Sequence, residues 1–224
     1  MRRRRWWWLL AVLAVLGAAA VVFFTLWGRP TVVYPASEAT GTAQRFDFED
    51  VPPGGLPAGA EVYGGSWQVR AEPDAPSGEH ALCQSGTADY PALSLGPQVY
   101  RDVAVSARVK AISGSTDQAA GLLVRVQNAG NYLIGRANAL EGNVNLYRYS
   151  GSVRRTLADG TAPVRQGTWH ELRMEVRGER LQTFLDGRLV SRATDATFPA
   201  GRVGLWTKAD SQTCFDDVTV EPLR

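Results

Sequence analysis

From Arg45 onward, apolar residues alternate with polar ones at a period of two, in short runs that are separated by turn residues. This period is that of a β-strand with one buried face, and it differs from the 3.6-residue period of an amphipathic helix. Three runs show it most clearly, with one face formed by Val103, Val105, Ala107 and Val109, by Leu122, Val124 and Val126, and by Leu172, Met174 and Val176. About a dozen such runs predict an all-β sandwich of two stacked antiparallel sheets.

Residues that favour tight turns lie between several of these runs. Asp186-Gly187 separates two of them and suits a two-residue hairpin turn in which both residues adopt positive φ. The sequence RGE at 177–179 separates two others. No internal repeat of fixed period is visible, which argues against a propeller or a solenoid.

A different pattern occupies the N-terminus, where residues 6–27 contain no charged side chain. At about 1.5 Å per residue, a helix of this length spans roughly 33 Å, enough to cross a bilayer. The four arginines at 2–5 favour a cytoplasmic N-terminus. We therefore predict that residues 1–28 form a cytoplasmic arginine run and a transmembrane signal anchor in the cell membrane, with the rest of the chain extracytoplasmic. A cleaved signal peptide is the alternative, because small residues at 37–39 and 41–43 suit a signal peptidase.

Composition separates a linker from a single domain. Residues 29–44 combine prolines with small and polar residues, which predicts a linker, and residues 45–224 are predicted to form the β domain. With 224 residues, 45% of them hydrophobic, the chain suffices for one well-buried domain. The formal net charge is +2, but residues 29–224 contain 20 basic and 22 acidic side chains. Because that part has no strong positive field, we expect no nucleic-acid partner.

The two cysteines, Cys83 and Cys214, lie far apart in strand-like runs and lack the CxxC spacing of a zinc or redox motif. In an exported protein, an even pair favours a disulfide, which would join an early strand to the last one. Two buried free thiols are the alternative.

The sequence contains no complete catalytic motif. WHELRM at 169–174 begins like a zinc-binding H-E-x-x-H helix, but Met174 occupies the second ligand position and the run alternates as a strand. With His80 and His170 as the two histidines, a Ser/His/Asp arrangement is poorly supported. We interpret His170 as a structural residue beside Trp169, with catalysis as the alternative.

Carboxylates cluster in the first and the last strand-like runs. Asp47, Glu49 and Asp50 belong to FDFED, and Asp216 and Asp217 belong to FDD. If the first and last strands of the sandwich are neighbours, these oxygens would suit a calcium ion, which prefers hard oxygen ligands. The alternative is that they cap turns or accept hydrogen bonds from backbone amides.

The richest polar stretch is NYLIGRANALEGNVNLYRYS at 131–150, which reads as two strands around a turn at 139–142. Alternation places the following side chains on one face of their strands: Tyr132, Arg136, Asn138, Asn143, Asn145 and Tyr147. Amides, a guanidinium and phenol rings together suit the hydroxyls of a sugar and its apolar ring face. An ordinary solvated sheet face is the alternative, with Arg136 and Glu141 as an ion pair that fixes the hairpin. Trp206 is either a stacking platform for the sugar or a core residue.

Three segments carry a resemblance to a known family: NYLIGRANALEGNVNLY, WHELRMEV, and GLWTKADS followed by FDDVTV. They resemble bacterial extracytoplasmic domains with the concanavalin A-like, laminin-G-like jelly roll, which are grouped with the 3-keto-disaccharide hydrolase-like domains. The resemblance covers most of residues 45–222 and implies a jelly-roll sandwich. The chain lacks a complete E-x-D-x-x-E strand motif, which the beta-glucanases of this fold carry.

The expected function is that of a membrane-anchored domain that binds a carbohydrate or a cell-envelope glycan on its concave sheet. The expected ligand-binding residues are Arg125, Tyr132, Arg136, Asn138, Asn145 and Tyr147. One alternative is a glycoside-cleaving hydrolase of the 3-keto-disaccharide type, with Glu141, Glu171 or Asp210 as acid or base. The other is a protein-interaction module of the envelope without catalytic activity. We expect no cofactor, and calcium is the alternative that the terminal carboxylates would suit.

Overall fold

The computed structural model describes residues 33–223, which form one short 3-10 helix, Ala36–Glu38, and fifteen strands. The strands are β1 (Gln44–Phe46), β2 (Ala60–Gly64), β3 (Trp67–Ala71), β4 (His80–Gln84), β5 (Ala92–Leu95), β6 (Val103–Ser113), β7 (Ala119–Asn128), β8 (Asn131–Asn138), β9 (Asn143–Ser150), β10 (Val153–Ala158), β11 (His170–Arg177), β12 (Arg180–Leu185), β13 (Arg188–Thr194), β14 (Arg202–Trp206) and β15 (Gln212–Pro222).

These strands build two antiparallel sheets. Sheet A has the order β13-β12-β11-β6-β15-β4-β3, with β1 also paired to β15. Sheet B has the order β10-β9-β8-β7-β14-β5-β2. The first and last strands of the domain are therefore neighbours, and the predicted two-sheet jelly-roll sandwich is confirmed.

The hydrophobic core lies between the sheets, because each sheet turns the apolar side of its alternating pattern inward. Sheet A contributes Val103, Val105, Ala107 and Val109 from β6, and Leu172, Met174 and Val176 from β11, as the alternation predicts. Sheet B contributes Leu122, Val124, Leu133, Val144 and Leu146, among others.

The predicted face of Val126 is wrong. Val126 packs in a second apolar cluster on the opposite side of sheet B from Leu122 and Val124. Arg125 has a φ of 53°, and the pairing of β7 with its neighbours shifts register at this point. Such an irregularity inserts a residue into the alternation and reverses the faces that follow it.

The predicted turn and the predicted disulfide are both confirmed. Asp186 and Gly187 join β12 to β13 with φ values of 48° and 76°, as a two-residue turn of the primed type requires. Cys83 of β4 and Cys214 of β15 are directly opposite each other and form a disulfide.

The segment before β1 contacts the β domain. The N–H of Tyr34 donates to Gln127 Oε1 at 2.7 Å, and the N–H of Gly41 donates to the carbonyl of Val99 at 2.9 Å. The predicted membrane helix at 6–27 lies outside the described residues. Within residues 33–223, no helix has the length and the apolar character that crossing a bilayer requires.

Candidate functional site

The polar residues of β8 and β9 come together on the outer face of sheet B, which is the face turned away from the core. Arg136 pairs with Asn145 across the two strands, and Asn138 pairs with Asn143. Tyr132 and Tyr147 belong to the apolar cluster of this outer face, whereas the alternate residues, such as Leu146, enter the core. The common face that the sequence predicted for these side chains is therefore confirmed.

These side chains form the lower layer of the outer face. The exposed fraction is 1% for Tyr132 and Arg136, 0% for Asn138, and 5% for Asn145 and Tyr147. Buried polar groups need partners within the protein, because they have lost water. Their hydrogen-bonding capacity is accordingly largely used by neighbouring residues.

Arg136 is held by a carboxylate and an amide. Its Nη2 donates to Glu141 Oε2 at 2.5 Å and to Asn143 Oδ1 at 2.9 Å, and Asn143 also donates to Glu141. Partial burial alone would raise the pKa of Glu141, but the hydrogen bonds from Arg136 and Asn143 outweigh it, so the pKa is lowered. The ion pair that the sequence offered as an alternative for Arg136 is present.

Asn138 links the β8–β9 turn to a buried carboxylate. Its Nδ2 donates to Asp117 Oδ1 at 2.6 Å, and Lys208 Nζ donates to the other oxygen of Asp117 at 2.6 Å. Its Oδ1 accepts hydrogen bonds from the N–H groups of Leu140 and Glu141 and so caps the turn. Asn138 therefore fixes the hairpin, as Asn near a turn commonly does.

Asn145 is also engaged on both sides of its amide. Its Oδ1 accepts from the N–H of Gly160 at 3.0 Å, and its Nδ2 donates to the Tyr147 hydroxyl at 3.0 Å. This second bond orients the ring of Tyr147 on the outer face.

Trp206 lies under another aromatic residue. It is fully buried, and the ring of Tyr90 stacks on it with centroids 5.8 Å apart and planes 20° apart. On the other side, a Cβ at Gly121 would lie 3.0 Å from Trp206 Cε3, so the missing side chain makes room for the indole. Of the two alternatives for Trp206, the structure therefore favours the core residue. Tyr90 is the partly exposed ring above it.

An upper layer of exposed and partly exposed groups covers these buried residues. It consists of Tyr90, Glu141, Asn143, Arg154 and Lys208. The guanidinium carbon of Arg154 lies 4.6 Å from the ring centroid of Tyr147 and 5.5 Å from that of Tyr90. Aromatic faces and hydrogen-bonding groups are therefore adjacent on one surface, which is the combination that sugars require.

The sequence prediction missed Tyr90 and Arg154. Arg154 lies opposite Tyr149 in the β9–β10 hairpin, whose turn at Gly151-Ser152 is a recognisable signal. Extending the alternation across this turn would have placed Arg154 on the outer face. Tyr90 precedes β5 in an irregular segment, where periodicity carries no information.

Arg125 lies apart from the other five predicted ligand-binding residues. Its guanidinium donates to the carbonyls of Arg101, Phe198 and Gly178 and lies 3.7 Å from the carboxylate of Asp102. Burial lowers its pKa, although nearby carboxylates partly oppose this effect. These bonds connect β7 to the β11–β12 turn of sheet A and give Arg125 a structural role.

The three carboxylates considered for acid–base catalysis lie in separate surroundings. Glu141 pairs with Arg136 beside sheet B, whereas Glu171 is on β11 of sheet A. Asp210 accepts hydrogen bonds from the Ser115 hydroxyl and from the N–H groups of Ser115, Thr116 and Asp117, and these donors hold its pKa well below the ordinary value. A carboxyl group that stays ionised in this way is a poor general acid at neutral pH.

His170 has both ring nitrogens occupied. Nδ1 lies 2.7 Å from Asp186 Oδ2, and Nε2 accepts from the N–H of Arg165 at 3.0 Å. Burial alone would raise the pKa of Asp186, but the bonds from His170 and the Glu171 N–H lower it. These contacts support the structural interpretation of His170.

Several of the carboxylates considered for calcium accept hydrogen bonds from the protein. Asp216 accepts from the N–H and the hydroxyl of Ser77, and Glu49 accepts from the N–H groups of Glu79 and His80. Asp217 pairs with Arg45 at 2.8 Å. Because these oxygens already serve the protein, we do not propose a calcium site.

The fold is similar to that of several proteins with carbohydrate-related names. A carbohydrate-binding module of Bacillus subtilis, CBM66, superposes with a TM-score of 0.62 and 22% identity, over 73% of this chain and 95% of the module. The Bacillus licheniformis beta-glucanase superposes with a TM-score of 0.56 and 12% identity, over 83% of this chain and 100% of that one. At these identities, the likeness establishes the fold.

One sequence relative also has a carbohydrate-related name. Levanase of Bacillus subtilis (strain 168) is 28% identical to this chain over 97 residues, which is 42% of this chain. The match spans 14% of the length of levanase.

The family model of the 3-keto-alpha-glucoside-1,2-lyase-like domain matches residues 66–221. This range covers well over half of the chain and includes the whole upper layer of the outer face. The resemblance to 3-keto-disaccharide hydrolase-like domains, on a concanavalin A-like fold, is confirmed. The chain belongs to the family of 3-keto-alpha-glucoside-1,2-lyase-like domains.

Proposed function

We propose that this domain binds carbohydrate on the outer face of sheet B. The observation that carries the proposal is the upper layer, in which the guanidinium of Arg154 lies beside the rings of Tyr90 and Tyr147. Tyr147 in turn contacts Arg136, which holds the polar groups of Glu141 and Asn143 on the same face. An aromatic ring packs against the C–H face of a sugar, and the surrounding donors and acceptors match its hydroxyls.

The lower layer supports this surface. Arg136, Asn138, Asn145 and Tyr147 hold one another and the upper residues in fixed positions, so the predicted binding residues act mainly by positioning. Preorganised groups lose less conformational entropy when a ligand binds. The similarity to a carbohydrate-binding module and to levanase agrees with this role.

We further propose that the N-terminal segment anchors this domain at the outer side of the cell membrane. The support is the uncharged run at 6–27 that follows four arginines, together with a disulfide in the β domain. A glycan of the cell envelope would then be within reach of the binding face. Fractionation of cells that express the full chain, followed by protease treatment of spheroplasts, tests the location and the orientation.

The binding proposal is tested with the full chain, purified in detergent, on a glycan panel that includes levan and acidic as well as neutral oligosaccharides. For the best glycan, we expect Tyr90→Ala to weaken binding at least tenfold. Phe184→Ala is the matched control, because Phe184 is a partly buried aromatic residue on sheet A. It should leave the affinity unchanged.

Two outcomes would overturn the proposal. If no glycan on the panel binds while the protein is folded, the proposal of carbohydrate binding is wrong. This result would favour the alternative, a protein-interaction module of the envelope. If Tyr90→Ala and Phe184→Ala leave the affinity equally unchanged, the ligand binds elsewhere. Release of a cleaved product from a bound glycan would instead favour the lyase or hydrolase alternative.

A further inference from the structure

Arg154 belongs to the upper layer and is oriented by aromatic rings. It lies on β10, the edge strand of sheet B, opposite Tyr149 of β9. Its guanidinium is within cation–π distance of both Tyr147 and Tyr90. Two rings restrict where the planar guanidinium can lie, so its N–H groups are directed before any ligand arrives.

The other basic side chains of this face have carboxylate partners. Arg136 pairs with Glu141, Lys208 with Asp117 at 2.6 Å, and Arg202 with Glu61 at 2.7 Å. Among residues 33–223, Arg154 forms no ion pair and no side-chain hydrogen bond. Its Nη1 atom is buried without any hydrogen-bond partner.

Arg136 and Arg202 of this face also have a buried Nε without a hydrogen-bond partner, but each of them pairs with a carboxylate, which Arg154 does not do within residues 33–223. A charged donor that is removed from water without gaining an acceptor is destabilised, more so than a neutral donor. The tyrosine rings compensate the charge in part, but they cannot accept a strong in-plane hydrogen bond from the guanidinium edge. Because Nη1 is covered, an incoming carboxylate would bind the other edge of the guanidinium, through Nε and Nη2, which form no hydrogen bond within residues 33–223, and it would balance the positive charge.

On these grounds we infer that the site prefers an acidic glycan, in which a sugar carboxylate binds the guanidinium of Arg154. The inference rests on the proposed carbohydrate-binding function and names its ligand class. A carboxylate has two oxygens in one plane and matches the guanidinium with two parallel hydrogen bonds, which a single neutral hydroxyl does not provide. The ring of Tyr90 then contacts the C–H face of the same or the adjoining sugar.

The neighbouring residue provides a matched control. Arg155 is exposed, follows Arg154 on β10 and pairs with Arg148 of β9, so alternation directs it to the other side of the strand. Arg155→Ala removes the same charge from the same strand as Arg154→Ala. Any effect that arises only from net charge must therefore appear in both variants.

The test compares uronic acid oligosaccharides with the same oligosaccharides after methyl esterification, titrated against the full chain by calorimetry. We expect the acid forms to bind at least tenfold more tightly than the esters. Arg154→Ala should reduce the affinity for the acids to that for the esters, Arg154→Lys should retain part of the preference, and Arg155→Ala should retain all of it. Circular dichroism confirms that each variant is folded.

Three results would overturn the inference: equal affinity for acids and esters, an equal loss in the Arg154→Ala and Arg155→Ala variants, or a preference for sulfated over carboxylated sugars. If neutral glycans bind and acidic ones do not, this inference fails while the carbohydrate-binding function stands. If no glycan binds at all, both fail together.

Discussion

The Trp206→Ala variant distinguishes a site in which Trp206 is buried beneath Tyr90 from a site in which an exposed tryptophan stacks on the sugar. The side chain of Trp206 is fully buried between Tyr90 and Gly121, so Trp206→Ala removes a complete aromatic side chain from a packed position. Truncation of a buried Trp costs about 3–5 kcal/mol. This value already includes the loss of the stacking interaction with Tyr90. Such a loss is a large share of the roughly 5–15 kcal/mol that stabilises a typical domain.

The assay is urea unfolding followed by circular dichroism, with thermal unfolding as a second measurement. For a domain of this size, each kcal/mol lowers Tm by about 2–4 °C, so we expect Trp206→Ala to lower Tm by roughly 6–20 °C. Tyr90→Ala should cost less than half as much free energy, because Tyr90 is partly exposed.

A small effect would refute this reasoning. If Trp206→Ala unfolds within about 1 kcal/mol of the wild type, its ring is not packed as described. If this variant also loses glycan binding, Trp206 itself is the stacking platform that the sequence offered as one alternative, and Tyr90 is not.

Two further perturbations test the framework that supports the site. The double variant Cys83→Ala/Cys214→Ala should lose about 5 kcal/mol in urea unfolding, because the disulfide closes a separation of 131 residues; a loss below about 1 kcal/mol would contradict the disulfide. Asp210→Asn should be less stable than the wild type at pH 7. Because the folded pKa of Asp210 is depressed, this difference is complete above the unfolded pKa of about 3.9 and shrinks as the pH falls towards the folded value. Stability measured from pH 7 to pH 2 checks it, and a difference that does not change with pH would contradict the role of the carboxylate.

Much of the fold followed from local patterns. Strand alternation in β6 and β11 identified their core faces, and Asp186-Gly187 identified a hairpin turn. These predictions succeeded because a strand alternates its faces by geometry and a primed turn demands particular residues. The alternation failed at Val126, where the irregular backbone of Arg125 changes the register and a pattern of apolar residues gives no sign of it.

The sequence predicted the sheet face on which the candidate site residues lie, but it did not predict that their side chains are buried. Alternation placed Arg136, Asn138 and Tyr147 on one face, and the structure confirms this. Their surroundings come from other segments: Arg154 of the edge strand β10 lies over the ring of Tyr147, and Asp117, which precedes β7, accepts a hydrogen bond from Asn138. A periodic pattern reports which side of a sheet a residue occupies, whereas it cannot report what lies above that side.

The sequence by itself determined a sandwich of antiparallel strands and the face on which polar and aromatic residues gather. It also indicated that its two cysteines form a disulfide. These properties depend on backbone geometry and on the pattern of apolar residues along single strands. Only the tertiary structure decided that Trp206 is covered, that Arg125 serves the framework, and that Arg154 lies between two tyrosine rings without a carboxylate partner in residues 33–223. Those facts arise from contacts between segments that are distant in the chain, and the free energy of such contacts depends on packing that no local pattern encodes.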